Sequence, residues 1–182
     1  MTDSIKRPQT LVLTVATEAD IEELVTLVNS AYRGEESCQG WTTEARFLSG
    51  QRIDREAMGD LIGTPDQAVL LIRDLVGIKA CVHLKRLTPQ LVYLGMLSVR
   101  PTAQGEQLGR LLLLQCEEYA RDHFGIERIE MTVIDIRHEL IAWYERRGYQ
   151  QTGEHRPFPY GNERFGVPLR DDLRFLVMAK TL

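Results

Sequence analysis

The sequence predicts a mixed α/β sandwich built around one sheet. Three observations lead there. Short apolar runs recur along the chain, at 11–15, 68–73, 76–87, 91–99, 128–134, 149–153 and 173–179. Between them lie segments with apolar residues at helical spacing, most clearly in 106–124, where Leu108, Leu111, Leu112, Tyr119 and Ala120 recur. No repeat, low-complexity tract or linker divides the 182 residues, so one domain over 1–182 is expected, long enough to close a core.

Leu11 to Val15 is apolar except for Thr14 and reads as a first strand. Thr17 is a good N-cap, acidic residues follow it, and Ile21, Leu24, Val25 and Val28 share one helical face. Gly34 ends this helix or the turn after it. Thr42 or Thr43 is placed to cap a short helix over Glu44 to Leu48, and a further helix is expected from Asp54 to Leu61, ended by Gly63 and Pro65. Ala68–Arg73 and Val76–Leu87 read as antiparallel strands joined by a tight turn around Asp74. Leu91–Val99 is the next strand and Glu106–Phe124 the longest helix, with Gly125 as its stop. Arg128–Ile134 is a short strand and His138–Arg147 a helix stopped by Gly148. Tyr149–Gly153 and Leu173–Ala179 close the order, separated by an irregular Pro- and Gly-containing loop over 156–170.

Composition narrows the function. The net charge of −4 carries no basic footprint for nucleic acid. No apolar run reaches the roughly 20 residues a membrane helix needs, and residues 1–10 are polar, without the apolar core of a signal peptide. Cys38, Cys81 and Cys116 are far apart and odd in number, which fits no zinc spacing and reads as reduced thiols of a cytoplasmic protein without a metal. Cys81 and Cys116 lie in apolar runs and are expected in the core.

The stretch Leu97-Ser98-Val99-Arg100-Pro101-Thr102-Ala103-Gln104-Gly105-Glu106-Gln107-Leu108-Gly109-Arg110 carries the clearest chemistry. A strand runs through a proline into a loop with two glycines and then a leucine-rich helix. Such a turn presents unpaired N–H groups and the positive end of a helix dipole to an anion. It resembles the acetyl-CoA-binding motif of the GNAT acetyltransferases, roughly Val-x-Pro-x-x-(Gln/Arg)-Gly-x-Gly-x-(Gly/Ala). Val99, Pro101, Gln104, Gly105 and Gly109 match in register, and Gln107 stands where the family has its middle glycine. The resemblance implies that N–H groups from Gln104 through Arg110, Glu106 and Leu108 among them, cradle the pyrophosphate, with a side-chain donor from Gln104. Gln107 is expected in a helical backbone with its side chain outward. It further implies that Leu97, Ser98 and Val99 hold the pantetheine arm as an added strand.

Ile141-Ala142-Trp143-Tyr144-Glu145-Arg146-Arg147-Gly148-Tyr149 is similar to the second signature of that family, apolar-x-x-Tyr-x-x-x-Gly-(Phe/Tyr). The match implies that Tyr144 lies near the cofactor sulfur and protonates the departing thiolate. Arg137 stands about where the family often has Asn. The resemblance covers about 11–182 and implies a mostly antiparallel central sheet of about seven strands flanked by helices. It implies an N-acetyltransferase with acetyl-CoA as co-substrate, acting by direct transfer in a ternary complex. Its partner would be a small-molecule or peptide amine, with a homodimer left open. Trp41, Arg33 and Tyr32 are acceptor-pocket candidates, Glu44 beside Trp41 is a further acceptor-side candidate and a base, and Arg156 is placed to meet an acidic acceptor. A second reading is a non-catalytic acyl-CoA-binding regulatory module, which Gln107 and the lack of an evident base keep open. A P-loop is excluded, since the Gly105–Gly109 loop lacks its Lys and its spacing.

Overall fold

A computed structural model describes residues 11–182; the polar segment 1–10 lies outside the described residues. In chain order the regular elements are β1 (Val12–Val15), α1 (Ile21–Tyr32), α2 (Gly34–Ser37), β2 (Leu48–Ser49), α3 (Arg55–Gly63), β3 (Gln67–Arg73), β4 (Ile78–Thr88), β5 (Leu91–Val99), α4 (Leu108–Phe124), β6 (Arg128–Ile134), α5 (His138–Glu145), β7 (Gln150–Pro157), β8 (Val167–Pro168) and β9 (Arg174–Thr181). Seven strands form one sheet in the order β1-β3-β4-β5-β6-β9-β7. Every neighbouring pair in it is antiparallel except β5 with β6.

Helices cover both faces of the sheet, and β3 records this in its sequence. Its Val69 and Leu71 pack with Leu24, Val28 and Met58 of α1 and α3. Its Leu70 and Ile72 face the other way, into the core cluster that also holds Leu108, Leu112 and Cys116 of α4 and Ile141 and Tyr144 of α5. A strand buried on both faces loses the polar alternation of a half-exposed one. Short polar devices set the ends. Asp20 Oδ2 accepts from the Thr17 N–H at 2.8 Å, starting a 3-10 turn that leads into α1. Asp54 Oδ1 accepts from the Ala57 N–H at 2.7 Å and caps α3. Asp74 Oδ1 accepts from the N–H groups of Val76 and Gly77 and closes the β3–β4 turn. The thiols of Cys81 and Cys116 are buried as expected, and burial raises both, Cys81 to about 12.

Three local expectations are corrected. No helix covers 44–48. Phe47 and Leu48 N–H both reach Glu44 O in a single turn, after which Leu48 and Ser49 pair with Val167 and Pro168 as a two-stranded ribbon. That long-range pairing outweighs a helix too short to stand alone. The segment 156–170 is therefore not wholly irregular, since β7 runs to Pro157 and β8 belongs to the ribbon. Finally, α4 starts at Leu108, because Gln107 is left-handed with φ 60° and cannot be a helical residue.

His83 on β4 is buried, and its Nε2 lies 2.8 Å from Gln67 Oε1. Burial, with help from Lys85 and Arg52, lowers it to about 4. The unfolded chain therefore binds the extra proton first as pH falls, near the ordinary histidine value of about 6.5. Stability should be complete above that pH and fall by about 2–3 kcal/mol as pH drops toward 4.5. Urea unfolding across this range should show the loss in the wild type, and His83→Gln should flatten it.

Candidate active site

The parallel pair β5–β6 stays together for only three residue pairs, Leu91 with Arg128, Val92 with Ile129 and Tyr93 with Glu130. Beyond them the strands part. On β5's other edge, Cys81 opposes Ser98 and His83 opposes Gly95, so Val82 faces both Met96 and Leu97. This is a β-bulge, and Met96 takes a left-handed φ of 55° within it. The bulge keeps β5 on β4 while swinging its C-terminal half away from β6. Tyr93 Oη of β5 reaches across the opening to within 2.9 Å of Thr132 Oγ1 of β6, and Tyr32 of α1 donates its hydroxyl to Leu97 O of β5 at 2.6 Å.

Two cavities meet at this opening. The first, of about 400 Å³, lies between the end of β5, the loop 103–110 and α5. The second, of about 430 Å³, lies between β5, β6 and the segments 44–52 and 158–159. Tyr32, Leu97, Arg137, Leu140 and Tyr144 line both. Tyr144 is 6% exposed, and its hydroxyl has no protein partner among the described residues. Its ring stacks edge-on with Trp143 at 4.9 Å and with Tyr149 at 5.6 Å. Tyr149 is fixed in turn by donating to Glu117 Oε1 at 3.0 Å. Burial, then the neighbouring Tyr32, push the Tyr144 phenol well above the usual tyrosine range. At neutral pH it is a proton carrier, not a phenolate.

The loop of the first cavity leads into the N-terminus of α4, where backbone N–H groups could hold an anion. Gly105 has φ 99° and Gln107 φ 60°, so the loop before α4 carries two residues with positive φ. The first helical bond of α4 is Leu111 N–H to Gln107 O at 3.0 Å. The N–H groups of Gly105 and of Gln107 through Arg110 have no acceptor among the described residues. Gly109 faces Val99 and Trp143 across the cleft. Arg110 and Arg147 bring positive charge to the same lining, and Arg147 lies over Trp143, 3.5 Å from its ring centre. Its pKa is lowered by burial, then by the like charges of Arg146 and Arg110.

The second cavity is held by a buried cluster. Glu44 receives Arg33 at 2.5 Å and Arg137 at 3.0 Å, and Arg137 also donates to Thr42 O at 2.8 Å. Burial alone would raise the Glu44 carboxyl, but Arg137 and then Arg33 outweigh it and hold it below the usual range. A carboxylate so paired is a weak base. Glu35 and Glu36 are exposed on α2.

Several expected contacts fall differently. The Gln104 amide is spent inside the protein: Nε2 donates to Thr42 Oγ1 at 2.9 Å and Val99 O at 3.2 Å, while Oε1 accepts from the Trp41 N–H at 2.9 Å. It ties the 40–42 loop to the end of β5 and is not the free side-chain donor the sequence suggested. The expected helical backbone at Gln107 is likewise replaced by the left-handed one, so this residue does the conformational work of the glycine it replaces. Leu97, Val99, Gln104, Gly105, Gln107, Leu108, Gly109 and Arg110 line the first cavity, with Trp41, which is 42% exposed and 6.0 Å from Trp143. Ser98 and Glu106 do not line it: Ser98 Oγ donates to Met96 O, and Glu106 lies 3.7 Å from Lys79. Arg33 and Glu44 line the second cavity, whereas Arg156 is spent on Glu130 and Glu154. Three contributors were not foreseen as site residues, Arg52, Arg137 and Arg147, whereas Tyr32, expected with Trp41 and Arg33 to form an acceptor pocket, lines both cavities. Arg137 was visible only as a departure from the family's Asn, and Arg52 carries no sequence signal.

The family model described as the acetyltransferase (GNAT) family matches residues 21–149. No curated protein matches the chain. Among solved structures, a ribosomal-protein-alanine N-acetyltransferase from Brucella melitensis is similar at 20% identity and a TM-score of 0.70, over 94% of this chain and 100% of that one. An N-acetyltransferase from Staphylococcus aureus is similar at 11% identity and a TM-score of 0.70, over 94% and 97%. A spermidine N-acetyltransferase variant from Vibrio cholerae is similar at 14% identity and a TM-score of 0.65, over 94% and 95%. At these identities the likeness is one of fold.

A non-glycine residue in the left-handed region carries about 1–2 kcal/mol of strain, part of which glycine returns as lost chain entropy. Gln107→Gly should therefore raise unfolding free energy by about 0.5–1 kcal/mol, and Gln107→Val should lower it by about 1 kcal/mol or more, since a β-branched side chain tolerates this φ worst. Paired thermal and denaturant melts check both signs.

Proposed function

The chain belongs to the acetyltransferase (GNAT) family, N-acetyltransferases that use acetyl-CoA as co-substrate, and from that premise we propose that it moves an acetyl group directly to a primary amine in a ternary complex, with Tyr144 as its acid. The observation that carries this reading is the Tyr144 hydroxyl, raised in pKa, without a protein partner, and lining both cavities where they meet.

The residues of the first cavity fit the co-substrate. Its anionic pyrophosphate matches the N–H groups of Gly105 and Gln107–Arg110 and the charge of Arg110 and Arg147. Its extended amide arm matches the β5 edge at Leu97–Val99, which β6 leaves unpaired. When bound, acetyl-CoA supplies an activated acetyl thioester whose leaving group is a thiolate. In this reading Tyr144 donates its proton to that sulfur, and N–H groups on the parted edge of β5 stabilise the oxygen that gains charge. The acceptor enters from the second cavity. Arg137 and Glu44 set its wall, and Glu44, already ionised between two arginines, does not take the amine's proton. Glu44 is the sole carboxylate among the described residues lining this cavity, so the attacking amine is the fraction that reaches the site neutral.

Three results are expected. Acetyl-CoA binds in calorimetry, and Gly109→Trp abolishes binding by filling the gap between Val99 and Trp143. In a thiol-release assay with an amine panel, Tyr144→Phe lowers kcat by about 100-fold or more while acetyl-CoA affinity stays, the size of a lost general acid. With any accepted amine, kcat/KM rises about tenfold per pH unit up to that amine's own pKa. An added inflection between pH 6 and 8 would instead reveal a protein base. No acetyl-CoA binding at millimolar concentration overturns the reading.

A further inference from the structure

The second cavity has an unbalanced charge. Three guanidiniums, Arg33, Arg52 and Arg137, line it against the single carboxylate of Glu44. Arg33 and Arg137 are spent on that carboxylate. Arg52 is not: it lies near enough to lower the Glu44 carboxyl, yet among the described residues no carboxylate stands within ion-pair reach of it. Its backbone is pinned, because Asn29 on α1 accepts from the Arg52 N–H at 2.6 Å and from the Ile53 N–H at 3.3 Å, and donates to Ile53 O at 2.9 Å. Its guanidinium is 5.9 Å from the centre of the Tyr32 ring, the same tyrosine that lines both cavities. A half-buried arginine on a pinned backbone, with no carboxylate partner among the described residues and beside a carboxylate already doubly paired, is suited to receive an anion.

We propose that the acceptor is a small primary amine that also carries an anionic oxygen group, a carboxylate or a phosphonate, and that Arg52 holds that group while the amine reaches Tyr144. This rests on the acetyl-transfer reading and names its substrate class. The apolar walls from Leu48, Met131, Phe158 and Phe175 suit the carbon frame between the two polar ends. A polyamine is disfavoured in the same terms, since a second ammonium would sit among guanidiniums with no free carboxylate to meet it. The site also makes Arg52 a specificity residue and not a catalytic one, because it meets the end of the acceptor away from the reacting nitrogen.

The test uses α-amino acids, ω-amino acids and aminoalkylphosphonates, each carboxylic acid beside its methyl ester and each phosphonate beside its dimethyl ester, with spermidine as the cationic control. Thiol release from acetyl-CoA gives transfer, and calorimetry on the enzyme saturated with CoA gives binding. Per neutral amine at the assay pH, the acids should exceed their esters by about 10- to 100-fold in kcat/KM, the scale of one charge-assisted contact. Arg52→Gln should erase that preference chiefly through KM, and Arg52→Lys should restore part of it. Carboxylates and phosphonates compared with each other identify which anion the site takes. Esters equal to acids, spermidine ahead of every acid, or a preference unchanged in Arg52→Gln overturns the inference. The wild-type acid–ester comparison decides even if the variants fold poorly. Acid-selective binding without thiol release leaves the Arg52 assignment standing and overturns the transfer reading instead.

Discussion

The parting of β5 from β6 is the constraint on which the rest of the molecule depends. Two parallel strands hydrogen-bonded along their whole length would leave no opening in a sheet covered on both faces. Here the pairing stops after Tyr93, and the bulge at Met96 keeps β5 attached to β4 while its free edge turns out. A residue held at φ 55° inside a strand stores strain, and such strain persists only where the surroundings hold it in place. The surroundings do: Tyr32 ties down Leu97 O, and Gln104 ties down Val99 O from the loop beyond. The opened sheet then exposes strand edge on one side and leads straight into the N-terminus of α4 on the other.

The Arg33–Glu44–Arg137 cluster answers a second requirement, that the walls of the opening not collapse into it. Glu44 joins α1, through Arg33, to the residue just before α5, through Arg137. Buried ion pairs contribute little net stability, because desolvation offsets much of the attraction, but they are demanding in geometry. In this position geometry is the useful property. The 42–44 segment, the end of α1 and the start of α5 are held at fixed separation around the junction that Tyr144 lines. Leaving one carboxylate between two arginines also settles its protonation, which removes it from proton transfer and leaves Arg52 as the uncommitted charge nearby.

How far all this was legible in the sequence follows from which forces act locally. The sheet and its covering helices were readable because apolar spacing reports burial directly, as in β3 and α4. Asp54, Asp74 and Gly125 mark their turns by local chemistry. The helix expected over 44–48 failed because pairing with 167–168, more than a hundred residues away, decides that segment. Gln107 was misread because a glutamine gives no sign of positive φ; only the alignment of its position with a family glycine hinted at it. Tyr144 and the glycine loop stood out as motifs. Arg52 and Arg137 did not, since an arginine looks the same in sequence whether it is solvated, paired or aimed into a cavity. Gln104 was seen as important for a contact it does not make: its amide braces the protein and is not free for a ligand.

The most direct test of the central claim is a crystal structure of the protein with CoA bound. The pantetheine arm should lie along Leu97–Val99 in the gap between β5 and β6, the pyrophosphate on the N–H groups of 105–110, and the sulfur within about 3.5 Å of the Tyr144 hydroxyl, the reach of a hydrogen bond to sulfur. CoA bound elsewhere, or bound in this cleft with its sulfur turned away from Tyr144, would contradict that claim.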